Sequence, residues 1–540
     1  MTIAAGQRAT AKDVLDAIAV AGGISLTTAT GGDIDRTGAI DAGPAIQRAI
    51  DRAISVGNPR INLGAGTLRI ETPVFQSAPL DVLGLGCGET ASGAPATIIR
   101  NACGAGVSMW TVSGTNGRGS SFSEFAVVED HPPPLSGWTP AANGWVFDIQ
   151  DCQGGVRFDV HMPGVNKGIR CTNSGRVMID RLRGQFFNTA LELDKAYDNS
   201  TVGHFHAWPF YSSHDNIMAY QQANSVGIRL KRADGVMMGS VFAFGCLSAV
   251  ELAQGADGAA TKVFFDAIYT DLCKYGVHVM PGTDGAFVLI SQATMQGQAW
   301  GTAGVPIAGA KALMIEGNNS RVCYDVLQAE RFPAGIVAMT GAGNKIDGDR
   351  TLTKWVNESG GTNTPLFAMG AGAGNEVSLS QPPRIENTAS VVLSSGGTAQ
   401  IGARVLVPAG STDFPLDYAS QEGGQITRRA NGSGNNVGLM QMAKGTARSS
   451  LGAREKRIFS VDDFNGTGDT EMLLRTAAGG MNFVVESTAT NAGAAFAPKG
   501  AGRLSFTNPS FPALPTSASG LPSGALWCDT ASGNAIKVVP

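Results

Sequence analysis

Apolar and polar positions alternate along the chain in a short phrase that returns at regular intervals. The phrase consists of Gly or Ala, an aliphatic residue, a variable residue, and a second aliphatic or small residue. Three of the spacings between successive copies are 22 or 23 residues, and the longer spacings equal that period plus an insertion. A fixed period of this length is typical of solenoids, in which each repeat stacks on its neighbours. The copies occupy residues 168–171, 190–193, 227–230, 249–252, 276–279, 312–315 and 335–338.

A second alternating phrase precedes copies of the first and occupies residues 156–160, 177–181, 236–240, 263–267 and 322–326. Alternation with a period of two predicts β-strands, so each coil carries two main strands. No helical pattern separates these strands, which excludes βαβ folds, and the L-x-x-L-x-L phrase of leucine-rich repeats is missing. We therefore predict an all-β fold built as a parallel β-helix, or β-solenoid.

Stacking of the coils places equivalent positions about 4.8 Å apart on neighbouring strands. The variable outward position of the first phrase then forms a column in which the sign of the charge alternates. Two interpretations are open: a structural ladder on a solvated sheet, whose opposite charges fix the register, or a charged binding surface. The column comprises Arg170, Glu192, Arg229, Glu251 and His278.

Two carboxylates of the second phrase, Asp159 and Asp180, are expected to share another column. Adjacent carboxylates about 5 Å apart have the geometry of a retaining glycosidase pair, so both are candidate catalytic residues. The alternative is that they bond to turn amides at the ends of strands. Asp271, which follows Tyr269, is a further candidate acid.

An open end of a solenoid exposes its apolar interior and therefore needs a cap. Residues 44–56 predict a helix that supplies it. Ile46, Ile50 and Ile54 recur at helical spacing and form one apolar stripe, and Gly57 fits the position at which a helix stops.

Residues 35–50 and 63–70 resemble the entry motif of pectate-lyase-like phage tailspikes. In that family a D-G-x-x-D-D-T-x-A-I-Q-x-A-I helix leads into F-P-x-G-x-Y-x-I. The helical half matches here, whereas the double aspartate is absent and Leu63-Gly64 replaces Phe-Pro. The resemblance implies a right-handed β-helix, a homotrimer and a place on the virion tail. It leaves activity open, because members include both depolymerases and non-cleaving adhesins.

Changes in the repeat spacing and in composition divide the chain into four parts. In the last part, strands are expected at residues 457–461, 472–475 and 483–486, and a hairpin across 520–539. The parts are a virion-attachment or extension segment at 1–32 with a helical pattern at 11–21, the β-helix at 33–348, a β-rich continuation or linker at 349–410, and a C-terminal β-domain for trimer closure or a distal tip at 411–540.

The densest cluster of polar and aromatic residues falls in the first long insertion between coils, and insertions on solenoids commonly carry binding sites. Its aromatic rings could stack on sugars, and Asp215 could act as an acid or base. The alternatives are packing of a buried loop, or a zinc site for which a third ligand is missing. The candidate glycan contacts are His204, His206, Trp208, Tyr211 and His214.

Composition narrows the classes of partner. A net charge of −4, with 16% charged residues, gives no electrostatic reason to expect nucleic-acid binding. The sequence has no apolar run long enough for a membrane helix and no apolar core of a signal peptide near Met1, so we expect synthesis in the host cytoplasm. Eight scattered cysteines form no C-x-x-C pair, so neither a metal nor a cofactor is expected.

Three functions fit these patterns. The first is a tailspike or tail fibre that binds a bacterial surface polysaccharide during host adsorption and attaches to a tail or baseplate protein through its N-terminal region. The second is a polysaccharide depolymerase, either a hydrolase or a lyase, on the same scaffold. The third is a purely structural tail component.

Overall fold

The computed structural model describes most of residues 34–356 and shorter stretches elsewhere in the 540-residue chain. The helical pattern at 11–21 and the strand expected at 457–461 lie outside the described residues. The described ranges are 23–26, 34–88, 95–114, 117–302, 304–356, 365–370, 374–381, 383–386, 392–395, 398–401, 416–418, 426–428, 470–477, 480–487, 514–532 and 535–540.

Two long parallel sheets run along the solenoid, with 18 and 12 strands within the described ranges. The first sheet contains Ile24–Ser25, Thr37–Asp41, Arg60–Asn62, Gly66–Ile70, Asp81–Leu83, Thr97–Asn101, Ser120–Glu129, Val156–Val165, Met178–Phe186, Thr201–Ala207, Asp234–Phe244, Thr261–Asp271, Phe287–Gln296, Arg321–Glu330, Lys345–Lys354, Glu376–Leu379, Arg384–Glu386 and Thr398–Ile401. The second contains Val74–Gln76, Trp110–Ser113, Trp145–Gln150, Lys167–Thr172, Thr189–Asp194, Val226–Leu230, Ser248–Leu252, Tyr275–Val279, Lys311–Ile315, Val337–Met339, Pro365–Met369 and Val392–Ser395.

From residue 145 onward, coil after coil places one long strand in the first sheet and one short strand in the second, and the inward side chains of both meet in a shared interior. Phe122 and Phe158 stack in register in the first sheet with ring centroids 5.3 Å apart, and Phe147 of the second sheet meets them across the interior at 4.7 and 5.3 Å. The predicted fold class, a parallel β-helix, is confirmed. Its core is a single continuous cluster because no single coil could bury its apolar side chains alone.

From Met178–Phe186 onward, the long strands of the first sheet each leave one residue out of the backbone pairing at the same place. The inward-facing positions change parity there: Val263 and Phe265 face inward before the break, and Ile268 and Thr270 after it. The first sheet therefore offers two outer surfaces, which we name the first-segment surface, before the break, and the second-segment surface, after it. The residues at the break are Asp180, Gly203, Gly239, Asp266, Ser291, Asp325 and Asp349.

Helix α1 (Gly43–Val56) occupies the predicted position of the cap. Ile46 and Ile50 are fully buried in the solenoid core, whereas Ile54, expected to share their stripe, is exposed. Gly57 ends the helix with a φ of 66°, a conformation that costs glycine little because it has no Cβ.

Parallel pairing continues beyond residue 348, where the β-helix was expected to end. The first sheet extends to Thr398–Ile401 and the second to Val392–Ser395. The chain divides into two compact units at residues 1–449 and 450–540. The second unit contains two of the three expected strands, those at 472–475 and 483–486, and the expected C-terminal hairpin, and both of its described pairs are antiparallel. These pairs are Thr470–Ala477 with Gly480–Ser487, and Leu526–Asp529 with Ala535–Val538.

The predicted register of the charged column on the second sheet is confirmed. Arg170 lies opposite Glu192, Arg229 lies between Glu192 and Glu251, and His278 follows Glu251. The expectation that this sheet is solvated is wrong, because both glutamates and the histidine are buried.

Arginine compensates the buried carboxylates of this column. The Arg229 guanidinium donates to Glu251 at 2.9 Å and approaches Glu192 at 3.5 Å. Arg170 bonds to Asp148, one coil earlier, at 2.6 Å. Because a buried carboxylate is tolerated when it is paired and hydrogen-bonded, the column is a structural ladder.

Candidate functional site

Asp159 and Asp180 do not lie opposite each other, contrary to the expectation from sequence. The register moves by one residue between Phe158 and Asp159, so Asp159 lies opposite Arg181. Arg181 donates to both carboxylate oxygens of Asp159, at 2.8 and 2.5 Å, and Asp180 is bonded by Arg157. Each carboxylate is therefore neutralised by its own arginine, and the two do not form the adjacent pair that a retaining glycosidase requires.

Ring-bearing side chains form a continuous row on the second-segment surface, which we name the aromatic stripe: His206, Trp208, Phe242, Phe244 and Tyr269. The Phe242 ring lies 5.1 Å from His206 and 5.0 Å from Tyr269, and Trp208 lies 4.6 Å from Phe244. Trp208 is 40% exposed and Tyr269 is 43% exposed. The stripe thus presents two large exposed rings that are supported from beneath by buried or half-buried ones.

Strand pairing explains why these rings meet. His206, Phe242 and Tyr269 occupy equivalent positions on three consecutive strands of the first sheet. Phe244 stands two residues beyond Phe242 on its strand, and Trp208 directly follows the strand Thr201–Ala207, two residues beyond His206. The stripe therefore consists of two adjacent columns that follow the axis of the solenoid.

Polar side chains continue the same two columns on the following coils. Thr294 and Gln328 succeed Tyr269 in one column, and Gln296 and Glu330 pair in the other. Asp271 lies opposite Phe244 and precedes these last two. The two columns thus continue with hydroxyl, amide and carboxylate groups, and Lys354 follows Glu330 on the next strand.

Two insertions border the aromatic stripe at the ends of its strands. The first contains helix α2 (Asp215–Asn224), which the sequence did not predict because its ten residues carry no regular apolar stripe. The second insertion brings Trp300 to within 5.9 Å of Phe244. The Trp300 indole Nε1 donates to the Asp215 carboxylate at 2.9 Å, so Asp215 joins the two insertions.

Gln185, which is fully buried, ties the first insertion to the sheet. Its carbonyl oxygen accepts from the backbone N–H groups of Tyr211 and Ser212, at 2.8 and 2.9 Å. Its amide donates to the Ser212 carbonyl and to Gln221 of α2, both at 2.9 Å. One buried side chain therefore fixes both the turn after Trp208 and the helix behind it.

The candidate glycan contacts separate into two groups. His204, His206 and Trp208 lie on the second-segment surface. Tyr211 packs instead against His131 and Phe187, with ring centroids 5.2 and 5.9 Å away. His214 precedes helix α2, where its Nδ1 accepts from the Asn216 N–H at 3.2 Å.

The pKa shifts indicate that the histidine end of the stripe is neutral near pH 7. Burial lowers the pKa of His206, with His204 and Arg183 adding to the effect. Burial also lowers the pKa of His204, with Arg183 and Arg181 contributing. At the other end, burial raises the pKa of Asp271; a hydrogen bond from Tyr269 opposes the shift and the charge of Glu330 adds to it.

Sequence reasoning missed Phe242 and Phe244 and did not connect Tyr269 with the histidine cluster. These residues lie in ordinary alternating strands, so only a comparison of equivalent outward positions on successive coils reveals them. Across the described ranges, no group of three or more His, Cys, Asp and Glu side chains is arranged to hold a metal ion. No helix in the described part of the chain is long and apolar enough to cross a membrane.

No protein-family model and no curated protein sequence matches the chain. Solved structures do match. Pre-mature gene product 12 of bacteriophage phi29 matches over 75% of this chain, with 14% identity and a TM-score of 0.50, and the match spans 59% of that protein. The adhesin PfbA of Streptococcus pneumoniae matches over 74% of this chain and 97% of its own, at 12% identity and a TM-score of 0.41. At these identities the comparison shows the fold alone: the chain shares its β-helix architecture with a phage protein.

Proposed function

We propose that the chain is a bacteriophage tail protein that binds a bacterial surface polysaccharide during host adsorption, and that the aromatic stripe is its binding surface. The observation that carries the proposal is the exposure of Trp208 and Tyr269 on one surface, followed by carboxylates and amides. The apolar C–H faces of sugar rings stack on aromatic rings, and sugar hydroxyls donate to carboxylate and amide oxygens.

The direction of the stripe suits a polymer. Its columns follow the solenoid axis, so neighbouring contact positions repeat about every 4.8 Å. A chain of sugars laid along the axis would meet Trp208, Tyr269 and then Glu330 in succession. Small globular ligands would use only part of this surface.

The tail assignment is a further part of the proposal. It is supported by the resemblance of residues 35–50 and 63–70 to the tailspike entry motif, and by a fold shared with a phage protein. In this proposal three copies of the chain, each a right-handed β-helix, form a homotrimer on the virion tail. The trimer is attached to a tail or baseplate protein through residues 1–32. Residues 411–540 close the trimer or form its distal tip.

Cleavage of the polysaccharide is the second candidate, and the raised pKa of Asp271 beside Glu330 favours it. Two strand spacings separate these residues, which places their backbones about 10 Å apart. A retaining enzyme needs carboxyls about 5 to 5.5 Å apart and an inverting one about 6.5 to 9.5 Å, so only inversion approaches this geometry. Binding without cleavage therefore fits better.

The chain offers a matched pair of variants as the test. Tyr269 and Phe264 lie on the same strand with exposures of 43% and 38%, but Phe264 belongs to the first-segment surface. The purified full chain and the variants Tyr269→Ala and Phe264→Ala are titrated against immobilised polysaccharides from candidate host bacteria. We expect Tyr269→Ala to weaken binding at least tenfold and Phe264→Ala to leave it within twofold.

Three outcomes decide between the functions. Equal losses in both variants would contradict the stripe as the binding surface. Failure of the wild-type chain to bind any polysaccharide or host cell would favour the purely structural function. An increase in reducing ends during incubation, lost in Asp271→Asn, would establish the depolymerase.

A further inference from the structure

Apolar side chains form a continuous column on the first-segment surface, across six consecutive strands of the first sheet, with Thr201 as its one hydroxyl-bearing member. Met237 is 52% exposed, Met178 is 42% exposed and Phe264 is 38% exposed. Isolated apolar residues are ordinary on a protein surface, whereas a contiguous exposed row marks an interaction site. We name this row the apolar column, and it comprises Met178, Thr201, Met237, Phe264, Leu289 and Cys323.

Charged residues bound the apolar column at both of its ends. Arg157 precedes Met178 in the same register and forms an ion pair with Asp180. Asp347 follows Cys323 and accepts from the Arg321 guanidinium at 2.7 Å. An apolar centre within a polar rim is the anatomy of a protein–protein interface.

Charges of opposite sign also flank the apolar column along its two sides. On three strands a cation stands two residues before the column and an aspartate stands two residues after it, and the register places the cations on one side and the aspartates on the other. About 13 Å of extended backbone separates the cation from the aspartate of the same strand, which is too far for an ion pair between them. The strands carry Lys262 and Asp266, Arg321 and Asp325, and Lys345 and Asp349.

The two flanks differ in how far their own chain compensates them. Asp266 and Asp325 are exposed, and neither forms an ion pair within the described part of the chain. Lys262 has Asp234 at 3.2 Å, and Arg321 has Asp347. The side chains of Lys262 and Arg321 are nonetheless 67% and 52% exposed, so each remains accessible to a second carboxylate. The aspartate flank therefore lacks a cation that the cationic flank of another copy can supply.

We propose that the first-segment surface is the contact between copies of this chain, which lie side by side, parallel and at the same height, around a rotation axis that follows the solenoid axis. This rests on the homotrimer of the proposed function, and it adds the contact surface and the orientation of the copies. Such a rotation buries the apolar column and brings the cationic flank of one copy against the aspartate flank of the next. A two-fold axis along the strands would instead bring aspartates against aspartates, so the charges oppose that arrangement.

The first experiment measures the mass of the full chain by sedimentation equilibrium over a range of protein concentrations. Asp266→Lys/Asp325→Lys reverses two charges of the aspartate flank without breaking an ion pair of its own chain. Asp51→Lys/Asp130→Lys makes the same change in net charge at two exposed sites outside this surface and serves as the matched control. We expect the wild-type chain to form trimers, the flank variant to need at least a tenfold higher concentration to associate, and the control to stay within threefold of the wild type.

The second experiment tests the orientation by disulfide cross-linking. Lys262→Cys/Asp266→Cys places one thiol on each flank of the same strand, too far apart for a bridge within one chain, because a disulfide needs Cα atoms about 4.4 to 6.8 Å apart. Oxidised glutathione should link three copies into a covalent trimer, which a reducing agent separates on a denaturing gel. Lys262→Cys alone should give no more linked copies than the wild type, since like flanks do not meet.

Each result bears on a separate part of the proposal. A wild-type chain that remains monomeric, or an association that the flank variant does not weaken, would overturn the contact. Linked dimers from Lys262→Cys alone would overturn the parallel orientation.

Polysaccharide binding is measured on the same samples, for the wild type and for Tyr269→Ala, so failure of the proposed function is seen separately from failure of the contact. Phe264→Ala shortens a single member of the apolar column. We therefore expect it to stay associated under the conditions of the polysaccharide titration, which the same sedimentation measurement checks.

Discussion

The indole Nε1 of Trp300 donates a 2.9 Å hydrogen bond to the carboxylate of Asp215, and this bond joins two insertions that lie 85 residues apart in the sequence. Asp215 also stands in the first turn of helix α2. The sequence suggested an acid or base at this position. The structure gives the carboxylate a positioning contact at the border of the aromatic stripe.

Removal of this hydrogen bond should make the two insertions more mobile without unfolding the chain. We expect Asp215→Ala to weaken polysaccharide binding three- to tenfold and to cost about 1 kcal/mol of stability, because one exposed charge-assisted hydrogen bond is lost. Asp215→Asn keeps an acceptor oxygen and should restore most of the affinity. Titration calorimetry and urea unfolding measure the two effects, and equal losses in both variants would contradict a positioning role.

Gln185 offers a test of how the first insertion is held. Gln185→Leu preserves volume but leaves the N–H groups of Tyr211 and Ser212 without their acceptor, and the amide oxygen of Gln221 without its donor. Each unsatisfied buried group costs about 1 to 3 kcal/mol, so we expect a total loss of about 3 kcal/mol or more. Gln292→Leu, at an exposed outward position, should change stability by less than about 0.5 kcal/mol.

Hydrogen exchange locates the effect of the same substitution. In Gln185→Leu, the amides of residues 208–224 should exchange faster, while those of the neighbouring strand Thr201–Ala207 keep their protection. Uniform acceleration along the whole β-helix would show instead that Gln185 stabilises the solenoid globally.

The charged column on the second sheet predicts a contrast between buried and exposed arginines. Arg229→Met leaves the buried Glu251 without its cation, while Glu192 keeps Lys231 at 3.1 Å, and we expect it to cost about 3 to 5 kcal/mol at pH 7. Arg157→Met breaks an ion pair whose side chains are 61% and 39% exposed, and it should cost at most about 1 kcal/mol. Denaturant midpoints measure both, and equal costs would contradict a buried ladder.

Glu129 predicts a dependence of stability on pH. Burial raises the pKa of this carboxyl to about 7, although Asn166 and Asn101 donate hydrogen bonds to it. The contribution of Glu129 to the free energy of unfolding is fully present below the ordinary pKa of 4.5, and it is lost as the pH rises from there to about 7. The loss is on the order of 3 kcal/mol. Glu129→Gln should flatten unfolding free energies measured between pH 4.5 and 7, whereas the exposed Glu71→Gln should not.

The sequence alone was sufficient to predict the solenoid, because stacking imposes a period that every coil repeats. The pairing of Arg170 with Glu192 follows directly from the spacing of 22 residues. Burial of that column could not be predicted, because the period fixes which residues pair and not how far each is exposed.

The register of Asp159 shows that the repeat period alone does not predict which residues lie opposite each other. Asp159 and Asp180 occupy equivalent places in the sequence phrase, yet a one-residue shift moves Arg181 opposite Asp159. The shift is visible in the alternation, because the buried Ile179 and Leu182 are three residues apart whereas Phe158 and Val160 are two apart, but the repeated phrase ends before Leu182. Helix α2 escaped prediction for a related reason, since tertiary contacts such as the bond from Gln185 to Gln221 stabilise it rather than an apolar stripe of its own.

Two of the five rings of the aromatic stripe could be predicted. His206 and Trp208 belong to a dense local cluster of polar and aromatic residues, which marks them as candidate site residues. Phe242, Phe244 and Tyr269 join them only through the pairing of strands far apart in the chain.

The central claim is that the aromatic stripe binds a polysaccharide, and the most direct test is a structure of the full chain with a bound oligosaccharide from a polymer that it recognises. We expect a sugar ring stacked on Trp208 or Tyr269, with hydroxyls within hydrogen-bond distance of Asp271 or Glu330. An oligosaccharide bound at another surface, with the stripe unoccupied, would contradict the claim.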